Sequence, residues 1–172
     1  MTSINRKVIT ENILKLIDSN GIEDNDFANL IEKSTRTLSR IRKGQSLFDI
    51  DAINVASSFF DKSLIELNKQ YMVIEADSRN KLRRIHKNNV AYSSLLEKRP
   101  SITYAITYHL LNNKEFCSTG MIVAKIKKLF ESLGWNYSSS YISNAMARNN
   151  KDIQISGTEI VGGNKVNVYK SK

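Results

Sequence analysis

Between Ser34 and Gly44 the chain reads TRTLSRIRK, and only Leu38 and Ile41 in that stretch are apolar. Residues three apart share one side of a helix, so a helix here buries a single narrow stripe. Most of its other positions, Thr35, Arg36, Thr37, Ser39, Arg40 and Lys43, must then face outward. Ser34 is a good N-cap, because a serine oxygen accepts a backbone N–H that the first turn leaves unbonded. Gly44 suits the far end, where the chain turns out of the helix. This pattern excludes the centre of a core. It predicts a short helix lying on a surface and showing cationic and hydrogen-bonding groups of the kind that read base edges.

The neighbouring segments break into short helices in the same way. Ile9, Ile13, Leu16 and Ile17 recur at helical spacing, and Asn20 and Gly21 end that run. Glu23, Asp24 and Asp26 precede FANLIE, where acids favour the partial positive charge of a helix N-terminus. Asp49 or Asp51 opens a fourth helix through Ile53, Val55, Ala56, Phe59 and Phe60, and DKS precedes a fifth at Leu64, Ile65 and Leu67. Five short helices closing one core account for residues 1–70. The apolar spacing continues through Tyr71, Ile74, Leu82 and Ile85, predicting a longer last helix whose stripe either pairs two subunits or folds back on its own domain.

Residues 71–100 read as a basic, helical linker ending near Pro100, the only proline. From Ser101 the pattern is helix (ITYAITYHLLNN), turn, helix (TGMIVAKIKKLFESLG), turn, helix (SSSYISNAMARNN). Two β-prone stretches follow, IQISG and KVNVYK, separated by TEIVGG. The expected fold is mainly α, with an all-helical domain over 1–70 and a small α+β domain over 101–172.

Charge narrows the function. The net charge of +9 favours polyanionic partners through counterion release. Residues 1–70 nevertheless carry 10 Lys and Arg against 10 Asp and Glu, residues 71–100 carry 7 against 3, and residues 101–172 carry 9 against 4. Any polyanion-binding surface on the first domain must therefore be a sorted face. No apolar run reaches the roughly 18 residues of a membrane span, and MTSINRKVITEN lacks the apolar centre of a secretory signal. Cys117 stands alone, which fits a reducing cytoplasm and rules out an intrachain disulfide.

The stretch GIEDNDFANLIEKSTRTLSRIRKGQSLFDIDAINVASSFFDKSLIEL resembles the phage-repressor and Cro helix-turn-helix family over about residues 8–68. Ala28, Leu38, Ile41, Gly44, Ala56 and Phe59 carry the resemblance. It implies that the helix at 34–43 enters the major groove of double-stranded DNA, with Thr35, Arg36 and Arg40 at base edges. Ser34, Thr37 and Ser39 join them at bases or phosphates, and Arg42 and Lys43 at the backbone. It further implies a homodimer on an inverted repeat and a transcriptional regulator acting as a repressor. Many members carry glutamine at the start of helix 2 to hold a phosphate; this chain has Asp24 there, an acid that repels the backbone.

Three helices and a hairpin make residues 101–172 resemble a winged helix. That resemblance implies a second DNA contact through Ser139, Ser140, Asn144, Arg148 and Lys165. The alternatives are a dimerisation domain, a surface gripping a protein partner as in an antitoxin-like or adaptor protein, or tyrosines stacking on single-stranded bases. Lys125, Lys127 and Lys128 read as a basic patch or as a solvated helix face. His86 and His109 are too isolated to ligate a metal, Cys117 has no base partner, and Gly162 and Gly163 mark a turn. The expectation is a protein without catalytic residues, metal or cofactor.

Overall fold

Serines, asparagines and aspartates cut this chain into short pieces. Eleven helices form among residues 4–172, which the computed structural model describes, and all but three open on a side chain that accepts a backbone N–H of the first turn. The fold is mainly helical, with one three-stranded antiparallel sheet near the C-terminus. It divides into two compact units, one ending at Lys98 and the other beginning at Arg99.

In the first unit α1 (Arg6–Ser19) starts on Asn5, and Gly21 turns the chain out of it at φ 62°. The next helices are α2 (Asp24–Leu30), α3 (Thr35–Arg42), α4 (Ile50–Phe60) and α5 (Leu64–Leu67). Ser34 caps α3, Asp49 caps α4, and Ser63 with Glu66 forms a reciprocal capping box on α5. Ile9, Ile13, Leu16 and Ile17 of α1 meet Phe27, Ala28, Leu38, Ile41, Ala56 and Phe59 in one core. Phe27 stacks on Phe60 at 5.8 Å and meets the edge of Phe48 at 6.1 Å.

Residues 71–98 are not a linker between domains. Tyr71 and Val73 lie in irregular chain after α5, and two further helices follow, α6 (Ser78–Ile85) and α7 (Val90–Glu97). Leu82 and Leu96 are buried in the first unit's core, and Met72 and Ile74 pack against it. Of the stripe expected on one long helix, Leu64, Tyr71 and Ile85 are exposed, while Leu67, Ile74 and Leu82 fold back on their own unit over three separate pieces. Polar ties hold them there. Asn12, buried in α1, donates to the carbonyls of Leu67 and Lys69 at 2.8 Å each. Arg79, also buried, donates to the carbonyls of Asn20, Leu96 and Lys98, joining the end of α1 to the end of α7. His86 donates from Nε2 to the Phe59 carbonyl at 2.8 Å, with its ring against Phe59 and Tyr92.

The second unit contains α8 (Ile102–Tyr108), a 3-10 turn (Leu110–Asn112), α9 (Lys114–Ser118), β1 (Met121–Ile122), α10 (Val123–Ser132), α11 (Ser139–Arg148), β2 (Ile153–Val161) and β3 (Asn164–Ser171). The sequence pattern missed two elements: α9 occupies the expected turn, and β1 takes the first residues of the expected second helix. Met121 and Ile122 pair with Tyr169 and Val168, giving the antiparallel order β1-β3-β2. Gly120 permits this approach. Its φ is 84°, and an added Cβ would lie 2.8 Å from the Tyr169 carbonyl oxygen. The hairpin is longer than expected, since TEIV continues β2, and Gly162–Gly163 alone make the turn, both at positive φ. A bulge separates the pairs Ile155–Tyr169 and Gly157–Val168.

Leu96→Ala should cost about 2–5 kcal/mol, the usual range for a fully buried leucine, read as a lower urea midpoint by far-ultraviolet circular dichroism. A linker leucine would leave the midpoint in place. Asp49 gives a pH test. The bond from Lys33 Nζ (2.6 Å) and that from Ala52 N hold its carboxyl below the usual carboxylate range. A depressed carboxyl stabilises the fold at neutral pH, and that contribution disappears as pH falls from the ordinary aspartate range through the lower folded-state value. Asp49→Asn keeps the cap acceptor but removes the charge, so its stability should fall less between pH 6 and 3 than that of the unaltered chain.

Candidate nucleic-acid interface

Helix α3 is built from three stripes. Leu38 and Ile41 face the core at 0% and 3% exposure. Thr35, Ser39 and Arg42 follow one another at helical spacing, and two of them reach α2. The Thr35 hydroxyl donates to Asn25 Oδ1 at 3.0 Å. Arg42 donates to both carboxylate oxygens of Asp24, from Nε at 2.7 Å and from Nη2 at 2.6 Å, and again from Nη2 to Asp18 at 2.8 Å.

The third stripe, Arg36, Arg40 and Lys43, spaced by four and three residues, points to solvent. None of these three makes an ion pair among the described residues, although Lys33 beside them is tied to Asp49. Unpaired cations at helical spacing give a face that seeks external anions or hydrogen-bond acceptors. Ser34 and Thr37 are exposed and half-buried; their hydroxyls lie 2.9 Å apart, and Ser34 also accepts the Thr37 N–H. Ser39 is half-buried.

Arg42 does not belong with the outward residues. Burial works against its charge, but the bonds to Asp24 and Asp18 outweigh that and hold its pKa above the ordinary guanidinium value. The side chain expected at the DNA backbone is instead a brace joining the end of α1, the start of α2 and the end of α3. The same contact accounts for Asp24. Its negative charge meets a guanidinium fork within the unit rather than standing bare on the surface. No local pattern could show this, because Asp18 and Asp24 lie 24 and 18 residues before Arg42. Asn25 escaped notice for the same reason.

In the second unit Ser139, Ser140, Asn144, Arg148 and Lys165 are all exposed, but they do not form one surface. Ser139 and Ser140 open on a groove between α11 and the hairpin, lined by Ile122, Val161 and Val166. Asn144 and Arg148 open on a different groove, beside Thr103 and Thr107 of α8. Lys165 sits on β3 next to the hairpin turn, opposite Ile160. Lys125 pairs with Glu115 at 3.5 Å and Lys127 with Glu131 at 3.7 Å, which partly neutralises the α10 patch. His109 packs between Tyr104 and Trp135, and burial lowers its pKa. No helix among the described residues is long and apolar enough to cross a membrane.

Arg42→Ala removes a bidentate partner and leaves Asp18 and Asp24 to repel one another. The expected loss is about 1 kcal/mol, the upper end for a partly exposed pair. A thermal melt in low salt measures it, and the difference from the unaltered chain should shrink at 1 M salt.

No family model matches this chain, and neither a curated protein nor a solved structure is significantly similar to it.

Proposed function

We propose that this protein binds double-stranded DNA sequence-specifically, with α3 in the major groove, and regulates transcription as a repressor. The observation that carries this reading is the stripe of Arg36, Arg40 and Lys43, three exposed cations with no ion-pair partner among the described residues, on a helix anchored by its other sides. A major groove of roughly 12 Å admits one helix. Arg36 and Arg40 stand about 6 Å apart along the axis, nearly two base-pair steps of about 3.4 Å. Each guanidinium can donate two parallel bonds to guanine O6 and N7. Lys43, at the far end with Ser34 at the near end, supplies phosphate contacts that set register rather than sequence.

The packing of α2 against α3, tied by Asn25–Thr35 and Asp24–Arg42, supports the helix-turn-helix reading, and the Arg42 brace removes the objection that Asp24 raised. The order of helices and strands in the second unit, with β3 between β1 and β2, supports a winged-helix-like module adding contacts through α11 and Lys165. A two-fold dimer on an inverted repeat is part of the proposal. Its contacts must come from outside Leu67, Leu82 and Leu96, which the monomer's own core consumes.

A protein-binding role for the second unit is the other reading. The groove between α11 and the hairpin favours it, with the apolar Ile122, Val161 and Val166 in its lining.

Selection from a randomised duplex pool with the full chain should enrich a palindrome containing guanine in each half-site. Arg36→Ala and Arg40→Ala should each lose preference at one position, by about 1–3 kcal/mol. Lys43→Ala should weaken all sequences alike and reduce the salt slope by about one. Recovery of no motif, or of one that both arginine variants still select, would move the function away from α3.

A further inference from the structure

Thr35 lies at the first position of α3, exposed beside Arg36, where the proposed docking brings base edges closest. A threonine hydroxyl has one proton to donate and two lone pairs with which to accept. Here the proton is already committed, because the hydroxyl donates to Asn25 Oδ1 at 3.0 Å. What remains on Thr35 Oγ1 is acceptor capacity alone.

The major-groove edges divide along the same line. Adenine offers the N6 amino group and cytosine the N4 amino group as donors; guanine O6 and N7 and thymine O4 only accept. A free hydroxyl satisfies either kind by rotating its proton, and therefore discriminates poorly. A hydroxyl whose proton is held by a neighbouring carbonyl oxygen cannot donate to O6 or O4 without breaking that bond.

From this geometry we infer that Asn25 is a specificity-determining residue: by taking the Thr35 proton it makes Thr35 a reader of exocyclic amino groups, so that one position of each half-site is adenine or cytosine. The inference rests on α3 reading the major groove. It assigns Asn25 a role through Thr35 that needs no contact between Asn25 and a base. Arg36 and Arg40 are donors only and select acceptors. With Thr35 beside them, fewer than two helix turns carry readers of opposite polarity, and this distinguishes a base pair from the same pair reversed.

The test is pool selection followed by competition binding on single-position variants of the enriched duplex, using the full chain with Asn25→Ala, Asn25→Asp, Thr35→Val and Thr35→Ser. The unaltered chain should prefer adenine or cytosine at one position by roughly tenfold, as expected when a buried acceptor would otherwise face an acceptor. Asn25→Ala frees the proton and should admit guanine or thymine there, bringing the ratio close to one while leaving the guanines read by the arginines in place. Asn25→Asp keeps a carboxylate acceptor for the same proton; it should bind all sequences more weakly, since it adds negative charge, yet retain the preference. Thr35→Val should lose the preference and Thr35→Ser should keep it. A motif unchanged by Asn25→Ala and Thr35→Val would overturn the inference while sparing the reading of α3. A chain that enriches no motif would overturn both.

Discussion

Two apolar side chains are all that α3 offers to the core, and every feature of the proposed interface depends on how such a helix is kept in place. Burying Leu38 and Ile41 contributes roughly 2–3 kcal/mol each at best, too little to fix the rotation of an eight-residue helix by packing alone. Polar contacts at both ends supply the rest. Near the N-terminus Ser34 caps the first turn and Thr35 bonds to Asn25; at the C-terminus Arg42 grips Asp24 and Asp18. These ties hold one flank of the helix and leave Arg36, Arg40 and Lys43 exposed on another, without ion pairs among the described residues.

The remainder of the first unit uses the same device at larger separation. Buried polar groups are costly unless bonded, and three of those here are placed where a segment must be held to another. Asn12 receives the chain as it leaves α5, Arg79 gathers the ends of α1 and α7, and His86 bonds to the end of α4. Each donates to backbone carbonyls near helix ends, which have no partner inside their own helix. That is why α6 and α7 close onto the core instead of extending away from it, despite the positive charge that gives their sequence the look of a linker.

The second unit depends on its sheet. β3 runs between β1 and β2, so its Tyr169 is buried where the sheet meets the helices, whereas the far part of the hairpin projects with Ile160 and Val161 exposed. α11 borders separate grooves, two toward the hairpin and one toward α8. Of the residues expected to form a second contact, Ser139 and Ser140 border one groove, Asn144 and Arg148 border another, and Lys165 lies beside the hairpin turn.

Local chemistry was legible from the start. The caps at Ser34, Asp49 and Ser63, the stops at Gly21 and Gly44, the apolar stripes of α1 to α4 and the glycine pair of the hairpin all act within a turn or two of chain. Sequence alone therefore determined that the first five helices are short, which residues cap or stop them, and that α3 is a surface helix with a cationic side. Contacts between distant residues carry no such local mark. Only the tertiary structure decided that Leu82 and Leu96 belong to the first core, that Met121 and Ile122 become a strand once β3 offers an edge, and that Arg42 faces inward to Asp24 and Asp18 while Arg36 and Arg40 face out. The four arginines and lysines of α3 and its end are chemically alike in sequence. What separates them is whether a carboxylate from another helix lies within reach, and that is settled only when the helices pack.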